Sequence, residues 1–523
     1  MSVPSSLLRV PIEVPNRSGH NLSHSNSFTG TTGTLIPALC KELLPGDKIS
    51  LGTNFQVQLP PMVTDFYGRV DYVLEAFFVP NRLLWAGWKD FITHPTANPV
   101  YPASTNAAIK PSSVPHFSLT EDFDIGPNTL LHYLDYGKKL VVAKQDTFSV
   151  LPVLAYYRIF DDWYRDSRIQ SPLFYPSADI GSPNQVLRSM PYISAKSDGG
   201  TYSIPIGSIF SDGNRCYTLR QRNWVKDYFT SCSPLPQAGG ASEVKFDVSS
   251  ATETGAFSIS TLRAANSLQK WMERNNIAGY RYSDQIYAQF GVYPSDSIMD
   301  RCLYLGRHVD TVYNRSVFST VDSSSDTGGV LGTKGANSQV LGEGSLVDSF
   351  EATEHGFIMV LSSLVPRPVY GSGAERMCRR VKVGDFAFPL LAGMGDQAIR
   401  SYELTGDSDD SSTFGYTDLY AEYKFCNDKV HGLLSDGNDL SSYVLQRSFP
   451  NHANQIGSSF LSIPFNYLDQ VQVVETSVSG YTYWAQVYFP FKKISTIPAY
   501  SQPTLADLDN AHKEYISRGG KRL

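Results

Sequence analysis

The stretch Asp65–Phe91, DFYGRVDYVLEAFFVPNRLLWAGWKDF, constrains the fold of this chain more than any other. Val70, Tyr72, Leu74, Ala76 and Phe78 alternate with Arg69, Asp71, Val73, Glu75 and Phe77, which is the period of two of a β-strand with one face turned inward. Toward its end the run becomes apolar on both faces, with Ala76, Phe77, Phe78 and Val79 in a row, as in a strand at the core of a sandwich. Pro80 cannot donate to a strand ladder and is expected to end it. Asn81 stands where it could cap a helix, and Leu83, Leu84, Trp85, Trp88 and Phe91 follow at helical spacing. A buried strand running directly into a short amphipathic helix is therefore expected.

Other segments add strands and a few helices. Lys48–Leu51 and Phe55–Leu59 read as strands beyond the Pro45-Gly46-Asp47 turn. EHGFIMVLSSLVPRP, residues 354–368, is apolar on both faces and stopped by proline. LYAEYKFCNDKVHG (419–432), SYVLQRSF, QVQVVE and YTYWAQVYFPFKKIS supply further strand candidates. Residues 127–136 suit a short helix. Leu151–Gln170 suits a longer one, with Leu154, Tyr157, Ile159, Phe160 and Trp163 on one broad face and Pro152 in the first turn. Ser260–Asn276 repeats Leu262, Ala265, Leu268, Trp271 and Met272 at threes and fours, and Tyr282–Phe290 forms a second helix after Gly279.

The remainder is punctuation. Residues 1–34 are polar and aperiodic, and read as an extended arm that orders only against a partner. Residues 92–120 are rich in Pro, Ser and Asn. Residues 171–221 carry Ser, Gly, Pro and Asn between short apolar runs and are a candidate surface insertion. Residues 316–349 are rich in Ser and Gly and read as a long flexible loop. Residues 501–523 form a basic tail. Residues 35–500 then hold the folded domain with its insertions.

Of the 523 residues, 41% are hydrophobic, enough for a large core. Only 18% are charged and the net charge is −6, which argues against a broad basic face that coats nucleic acid. Tyr and Phe are abundant, at 31 and 28 residues, as suits strands and protein contacts. The opening residues lack the apolar core of a secretory signal, and no apolar run is long enough for a membrane helix, so membrane insertion is not expected. The six cysteines are scattered without CxxC spacing, as free thiols in a reducing compartment would be.

Signatures of chemistry are sparse. The chain has no phosphate-binding GxxxxGK[ST], no GxGxxG opening a helix, no HExxH and no GxSxG in a strand–turn–helix setting. Asp161, Asp162 and Asp166 could pair as carboxylates for acid–base work, but Arg165 and Arg168 among them favour an ion-pair face. Asp407, Asp409 and Asp410 offer oxygen ligands at a spacing that fits no defined metal loop, and an exposed turn is the plainer reading. His20 and His24 have the spacing of a helical metal pair in a segment too polar and Gly-rich to be a helix. Tyr420 and Tyr423 could stack bases from a strand, though core packing is the commoner use. No catalytic residue, cofactor or metal is expected. Arg518, Lys521 and Arg522, beside Gly519-Gly520, and Arg9 and Arg17 could contact phosphate, against the plainer reading of solubilising termini.

Several stretches, in order, carry a resemblance: ELLPGDKISL, FFVPNRLLWAGWKDFI, LPVLAYYRIFDDWYRDSRIQ, RNWVKDYFTSCSPLPQ, GYRYSDQIYAQFGV, FAFPLLAGMGDQAI, TFGYTDLYAEYKF and GLLSDGNDLSSYVLQRSF. Together they resemble the major capsid protein of the Microviridae, small icosahedral phages with single-stranded DNA, in the style of the gokushovirus-like branch. The resemblance runs from about Phe28 to Phe491, with gaps in 92–120, 171–221 and 238–258. It implies a mainly β fold, an eight-stranded antiparallel jelly roll with inserted loops and short helices. It also implies self-assembly through pentamers into a T=1 shell around circular single-stranded DNA, in the cytoplasm of a bacterial host and then the virion. The implied partners are an internal scaffolding protein, a DNA pilot protein and a small basic DNA-binding protein. No catalysis is implied. The residues leave one competitor, a β-rich carbohydrate-binding or glycan-hydrolysing protein with Tyr and Trp platforms, which would normally be secreted.

Overall fold

A computed structural model describes residues 17–63, 66–85, 88–93, 116–118, 123–140, 148–170, 219–236, 282–291, 301–318, 334–392, 395–405, 412–447, 456–473 and 475–498, with shorter pieces within 194–203 and 263–274 and isolated residues between. In chain order its main strands are β1 (Ser18–Asn21), β2 (His24–Gly30), β3 (Ile36–Leu43), β4 (Lys48–Gln58), β5 (Val70–Pro80), β6 (Leu303–Thr311), β7 (Tyr313–Phe318), β8 (Lys334–Glu351), β9 (Gly356–Pro366), β10 (Asp396–Arg400), β11 (Thr413–Asp418), β12 (Tyr483–Phe489) and β13 (Phe491–Ser495).

Two antiparallel sheets face each other. In the larger, β1 pairs with β13 and β2 with β12, and both β12 and β13 pair with β4. Strand β8 lies on the other side of β4, and β7 is the outer edge. The smaller sheet runs β6–β5–β9–β3. Strands β12 and β13 are one strand broken at Pro490, which has no N–H to give, and Gly52 of β4 donates to the Pro490 carbonyl at the break. With β1/β2 and β12/β13 each taken as one strand and β7 as an added edge, eight strands remain. The first, eighth, third and sixth form one sheet, and the second, seventh, fourth and fifth form the other. That is the strand order of a jelly roll built from two Greek keys.

Strand β5 explains its own sequence. Val70, Tyr72, Leu74, Ala76 and Phe78 point into the inter-sheet core with Phe55, Val57, Val340, Ile358, Tyr483 and Phe489. Phe77 and Val79 point the other way, into a second core with Leu35, Met359 and Leu361 of the same sheet layer. That second core is closed by α1 (Asn81–Leu84), α3 (Leu130–Tyr133) and α4 (Leu151–Ile159), with α2 (Trp88–Thr93) beside it. The smaller sheet is thus buried on both faces, which is why β5 and β9 read as continuous apolar runs. Two acids on the covered face of β5 are neutralised: Glu75 by Arg222 at 2.7 Å with Tyr164 donating to it, and Asp71 by Arg69 at 2.8 Å and Arg367 at 3.2 Å.

Several expectations change. Asn81 is the first residue of α1, not its cap, and its buried side-chain amide has no partner among the described residues. The helix expected to Gln170 is α-helical only to Ile159. It loosens into a π-turn over Phe160–Tyr164, where Arg165 N–H bonds the Phe160 carbonyl. Within residues 1–34, expected to order only against a partner, 18–21 and 24–30 are strands of this chain's own larger sheet, with Phe28 in the core, and 1–16 lie outside the described residues. The polar alternation at His24–Gly30 was the missed signal, because it belongs to an exposed face. The described residues of 442–449 and 470–475 hold 3-10 turns and isolated bridges in place of strands, and 419–432 is mostly turns. The helix expected over Ser260–Asn276 is seen at residues 263, 266–268, 270, 271 and 274, and Tyr282–Phe290 is helical. Most of 171–221 and all of 238–258 lie outside the described residues.

The largest correction concerns 316–318 and 334–349 within the stretch 316–349 expected as a flexible loop, of which 319–333 lie outside the described residues. Strand β7 runs to Phe318 and residues 334–351 form β8, the longest strand of the sheet. Its glycines are packing sites. A Cβ on Gly342 would stand 2.4 Å from the Phe55 ring, and one on Gly344 would stand 3.0 Å from the His308 ring. Across the gap, a Cβ on Gly306 of β6 would stand 2.1 Å from the Leu346 carbonyl oxygen. The two sheets close onto each other here, and only glycine lets the backbones approach. Gly306→Ala should therefore cost about 1–3 kcal/mol, against less than about 0.5 kcal/mol for Gly19→Ala on an open edge. Thermal melts of the two variants beside the parent measure this, and equal melting temperatures would refute the close-approach reading.

Candidate contact surface

The sequence between β9 and β12 leaves the sandwich and builds a module of its own. The hairpin β10–β11 and several 3-10 turns surround a third core of Tyr228, Phe229, Cys232, Tyr370, Ile399, Leu404, Phe414 and Leu461. Arg447 joins this module to the body. Its guanidinium lies over the rings of Phe460 at 4.1 Å, Trp224 at 4.8 Å, Phe449 at 5.2 Å and Tyr370 at 5.7 Å. It also donates to the Tyr370 hydroxyl and the Phe460 carbonyl, so its charge is hydrogen-bonded as well as stacked.

Residues 376–391 stand out from this module. They form 3-10 turns at Arg376–Arg379, Val383–Asp385 and Pro389–Leu391, and none of these turns buries a residue. Their foot is fastened. Arg376 donates to the Ala398 carbonyl, Arg379 stacks on Tyr402 at 4.0 Å, and Arg380 bonds Glu422 and the Tyr423 hydroxyl, each at 2.6 Å. The Asp385 carboxylate accepts from the N–H groups of Lys382 and Val381, which fixes the turn and holds its carboxyl below the usual range.

Beyond that foot the segment is apolar and open. Leu390 is 94% exposed, Val381 85%, Val383 78% and Met377 61%, with Phe386 and Phe388 about half exposed. Together these side chains show on the order of 700 Å² to solvent, against roughly 300–600 Å² for the largest apolar patch of a typical monomer. At the foot a pocket of about 730 Å³ opens between residues 370–380 and 422–431, walled by Tyr228, Phe229, Tyr370 and Phe425. Glu403 lies in its wall; burial pushes its carboxyl up, while bonds from Arg400 N–H and Tyr228 and the charge of Arg376 oppose this.

A second cleft, of about 630 Å³, lies on the exposed face of the larger sheet. Trp484, whose indole N–H is bonded to Gln58, sits there with Gln56, Gln486, His132 and Asp135. It is a Trp-and-amide surface of the kind that a carbohydrate-binding reading would require.

The sequence candidates for chemistry resolve into structure. Asp161 pairs with Arg165 at 3.3 Å, Asp162 with Arg158 at 2.9 Å, and Asp166 with Arg168 at 3.1 Å and with Lys226. His20 and His24 lie on β1 and β2, bonded to the carbonyls of Ile497 and Leu22. Tyr420 caps a 3-10 turn and Tyr423 ends it, so neither lies on a strand, and Tyr420 takes a positive φ of 64°. No group of three His, Cys, Asp or Glu is arranged for a metal among the described residues. Arg17 pairs with Glu351 at 3.5 Å beside Lys48. Arg9, Arg518, Lys521, Arg522 and Asp407, Asp409 and Asp410 lie outside the described residues. Cys40, Cys232, Cys302, Cys378 and Cys426 are unpaired, and burial pushes the Cys40 and Cys232 thiols up to about 12. Sequence reasoning missed the exposed segment: FAFPLLAG was read as a matching phrase, while its lack of any two- or four-residue period next to Pro and Gly marks apolar residues with no core to enter.

Burial works against the charged form of Asp166, but Arg168 and Lys226 outweigh it and hold the carboxyl well below the usual range. A depressed carboxylate contributes stability above its unfolded value near pH 4, and loses it as pH falls through the lower folded value. Asp166→Asn should destabilise by about 2 kcal/mol at pH 7, with the difference shrinking as pH falls below about 4. Denaturant unfolding of both proteins at several pH values checks this, and a pH-independent difference would contradict it.

The family model described as "Capsid protein (F protein)" matches residues 9–251 and 242–505. The chain is 26% identical to capsid protein VP1 of Chlamydia phage 1 over 593 aligned residues, covering 95% of this chain and 97% of the relative. It is 28% identical to capsid protein VP1 of Bdellovibrio phage phiMH2K over 471 residues, covering 82% and 84%. It is 23% identical to capsid protein VP1 of Spiroplasma virus 4 over 572 residues, covering 94% and 95%.

Proposed function

This chain belongs to the phage capsid protein (F protein) family, and from that premise we propose how its geometry serves a shell. It is a structural component of a virion, not an enzyme, and membership implies association with copies of itself. The proposed assembly is a T=1 icosahedral shell, reached through pentamers, around a circular single-stranded DNA genome. The observation that carries this reading is the apolar segment 377–391. The jelly roll has already closed its two cores, so these side chains have no use within the subunit and cost solubility unless a neighbour covers them.

Electrostatics supports the division of labour. With a net charge of −6 the chain cannot neutralise an enclosed genome, so the reading includes a small basic DNA-binding protein, with a scaffolding protein and a DNA pilot protein as the other partners. Assembly is placed in the bacterial host cytoplasm. The chain's own share of phosphate contact is assigned to the terminal cations Arg9, Arg17, Arg518, Lys521 and Arg522. Residues 171–221 are assigned to the outer surface up to their last three, since Leu219 packs on the cores and Arg220 and Gln221 pair with Leu35 and Thr34.

Negative-stain microscopy beside sedimentation velocity tests the shell. Uniform closed particles, from the chain alone or with its scaffolding partner, are expected; a monomer under both conditions would defeat the reading. For the tail, replacing Arg518, Lys521 and Arg522 by Ala should lower the slope of log affinity for single-stranded DNA against log salt by about 2, at roughly 0.7 per lost phosphate contact. An unchanged slope would remove the tail from the DNA contacts.

A further inference from the structure

We propose that the tip Phe386–Leu391 of one copy seats in the pocket of about 730 Å³ at the foot of the same segment in a neighbouring copy. The inference rests on the capsid reading and names its contact. The tip reads FAFPLL and carries no charge. Pro389 and the 3-10 turn that follows hold Leu390 out in solvent at 94% exposure.

The pocket fits such an entrant. Its floor is aromatic, from Tyr228, Phe229 and Tyr370. Its charged wall groups are already matched within the copy: Arg380 with Glu422, Arg376 with Glu403 and Lys429 with Glu375. An uncharged apolar segment therefore enters without stranding an ion, whereas a charged one would unbalance a neutral wall. The tip's exposed apolar side chains, Phe386, Phe388, Leu390 and Leu391, supply on the order of half of the roughly 800 Å² that one partner gives a standard interface, the size of an anchoring contact within a larger one.

The tip does not serve its own pocket. None of residues 381–391 lines it. The foot is fixed by Arg376, Arg379 and Arg380, and the Asp385 turn leads the chain outward. Tip and pocket are different surfaces of one molecule, so the contact is heterologous. Such contacts repeat head to tail and close into rings when the rotation allows.

Two variants separate tip from pocket: Phe388→Asp with Leu390→Asp, and Cys426→Trp at the exposed pocket wall. Thermal melts first establish that each folds as the parent does. Each alone should associate at least about 30-fold more weakly than the parent. Mixed, they should form a 1:1 complex that does not grow, since one intact tip meets one intact pocket. Sedimentation velocity of the separate and mixed proteins reads all three results. Folded variants whose mixture stays monomeric, or a Cys426→Trp protein that assembles like the parent, would overturn the inference while the parent's own particles leave the capsid reading standing. A parent that never self-associates would end both.

Discussion

Everything in this subunit depends on the smaller sheet being buried on both faces. A sheet with one wet face could be closed by the larger sheet alone. Here β5 sends Tyr72, Leu74, Ala76 and Phe78 into the sandwich and Phe77 and Val79 into a helical layer, so α1 and α4 are as necessary as the facing sheet. This arrangement leaves two carboxylates, Asp71 and Glu75, in a place where an unpaired ion would cost several kcal/mol. Arg222 answers Glu75, and it comes from a segment bound to the sandwich by backbone bonds with Gly33 and Ile463. The ion pair therefore fixes where residues 220–224 run, and through Trp224 and Arg447 it fixes where the outer module sits.

The same logic divides the molecule into a part that is finished and a part that is not. The sandwich, with its glycine-closed corner at Gly306, Gly342 and Gly344, satisfies its own apolar surface. The module between β9 and β12 has a small core of its own but leaves Leu390, Val381 and Val383 largely exposed and Phe386 and Phe388 half exposed. A fold that separates folding energy from association energy in this way can be stable as a free subunit and still assemble. Three guanidinium groups at the foot of 376–391 hold that segment in position before any neighbour arrives, which lowers the ordering entropy that association must overcome.

How much of this was legible in the sequence varied with how local the cause was. The two-faced strands β5 and β9 could be read, because burial on both sides is written as continuous Val, Leu and Phe. The strand and helix at Val70–Leu84 could be read for the same reason, and the ordered phrases resembling the capsid family gave the jelly roll. Strand β8 could not. Its glycines carry no period, and what makes them strand residues is the approach of β6 and the Phe55 and His308 rings, both far away in sequence. Tyr420 and Tyr423 failed likewise, since alternation in LYAEYKF is matched by a 3-10 turn that shows Tyr423 to solvent. Of the contact surface, composition showed an abundance of Tyr and Phe but not which of them lie outside.

The carboxylates are the clearest case of chemistry dissolving into architecture. Asp161, Asp162 and Asp166 cluster in and just beyond the π-turn that follows α4, and each ends beside an arginine of its own segment, with Asp166 also reaching Lys226. An acid useful in proton transfer needs a pKa near the working pH, and the cations beside Asp166 drive it the other way. What they gain is geometry. The pairs Arg158–Asp162 and Arg165–Asp161 bracket the point where α4 widens into a π-turn. Asp162 also accepts the N–H of Cys302, at the start of β6. That bond ties the helical layer to the edge of the smaller sheet across 140 residues of sequence, and it can do so only because the wider turn brings the carboxylate round to face the strand.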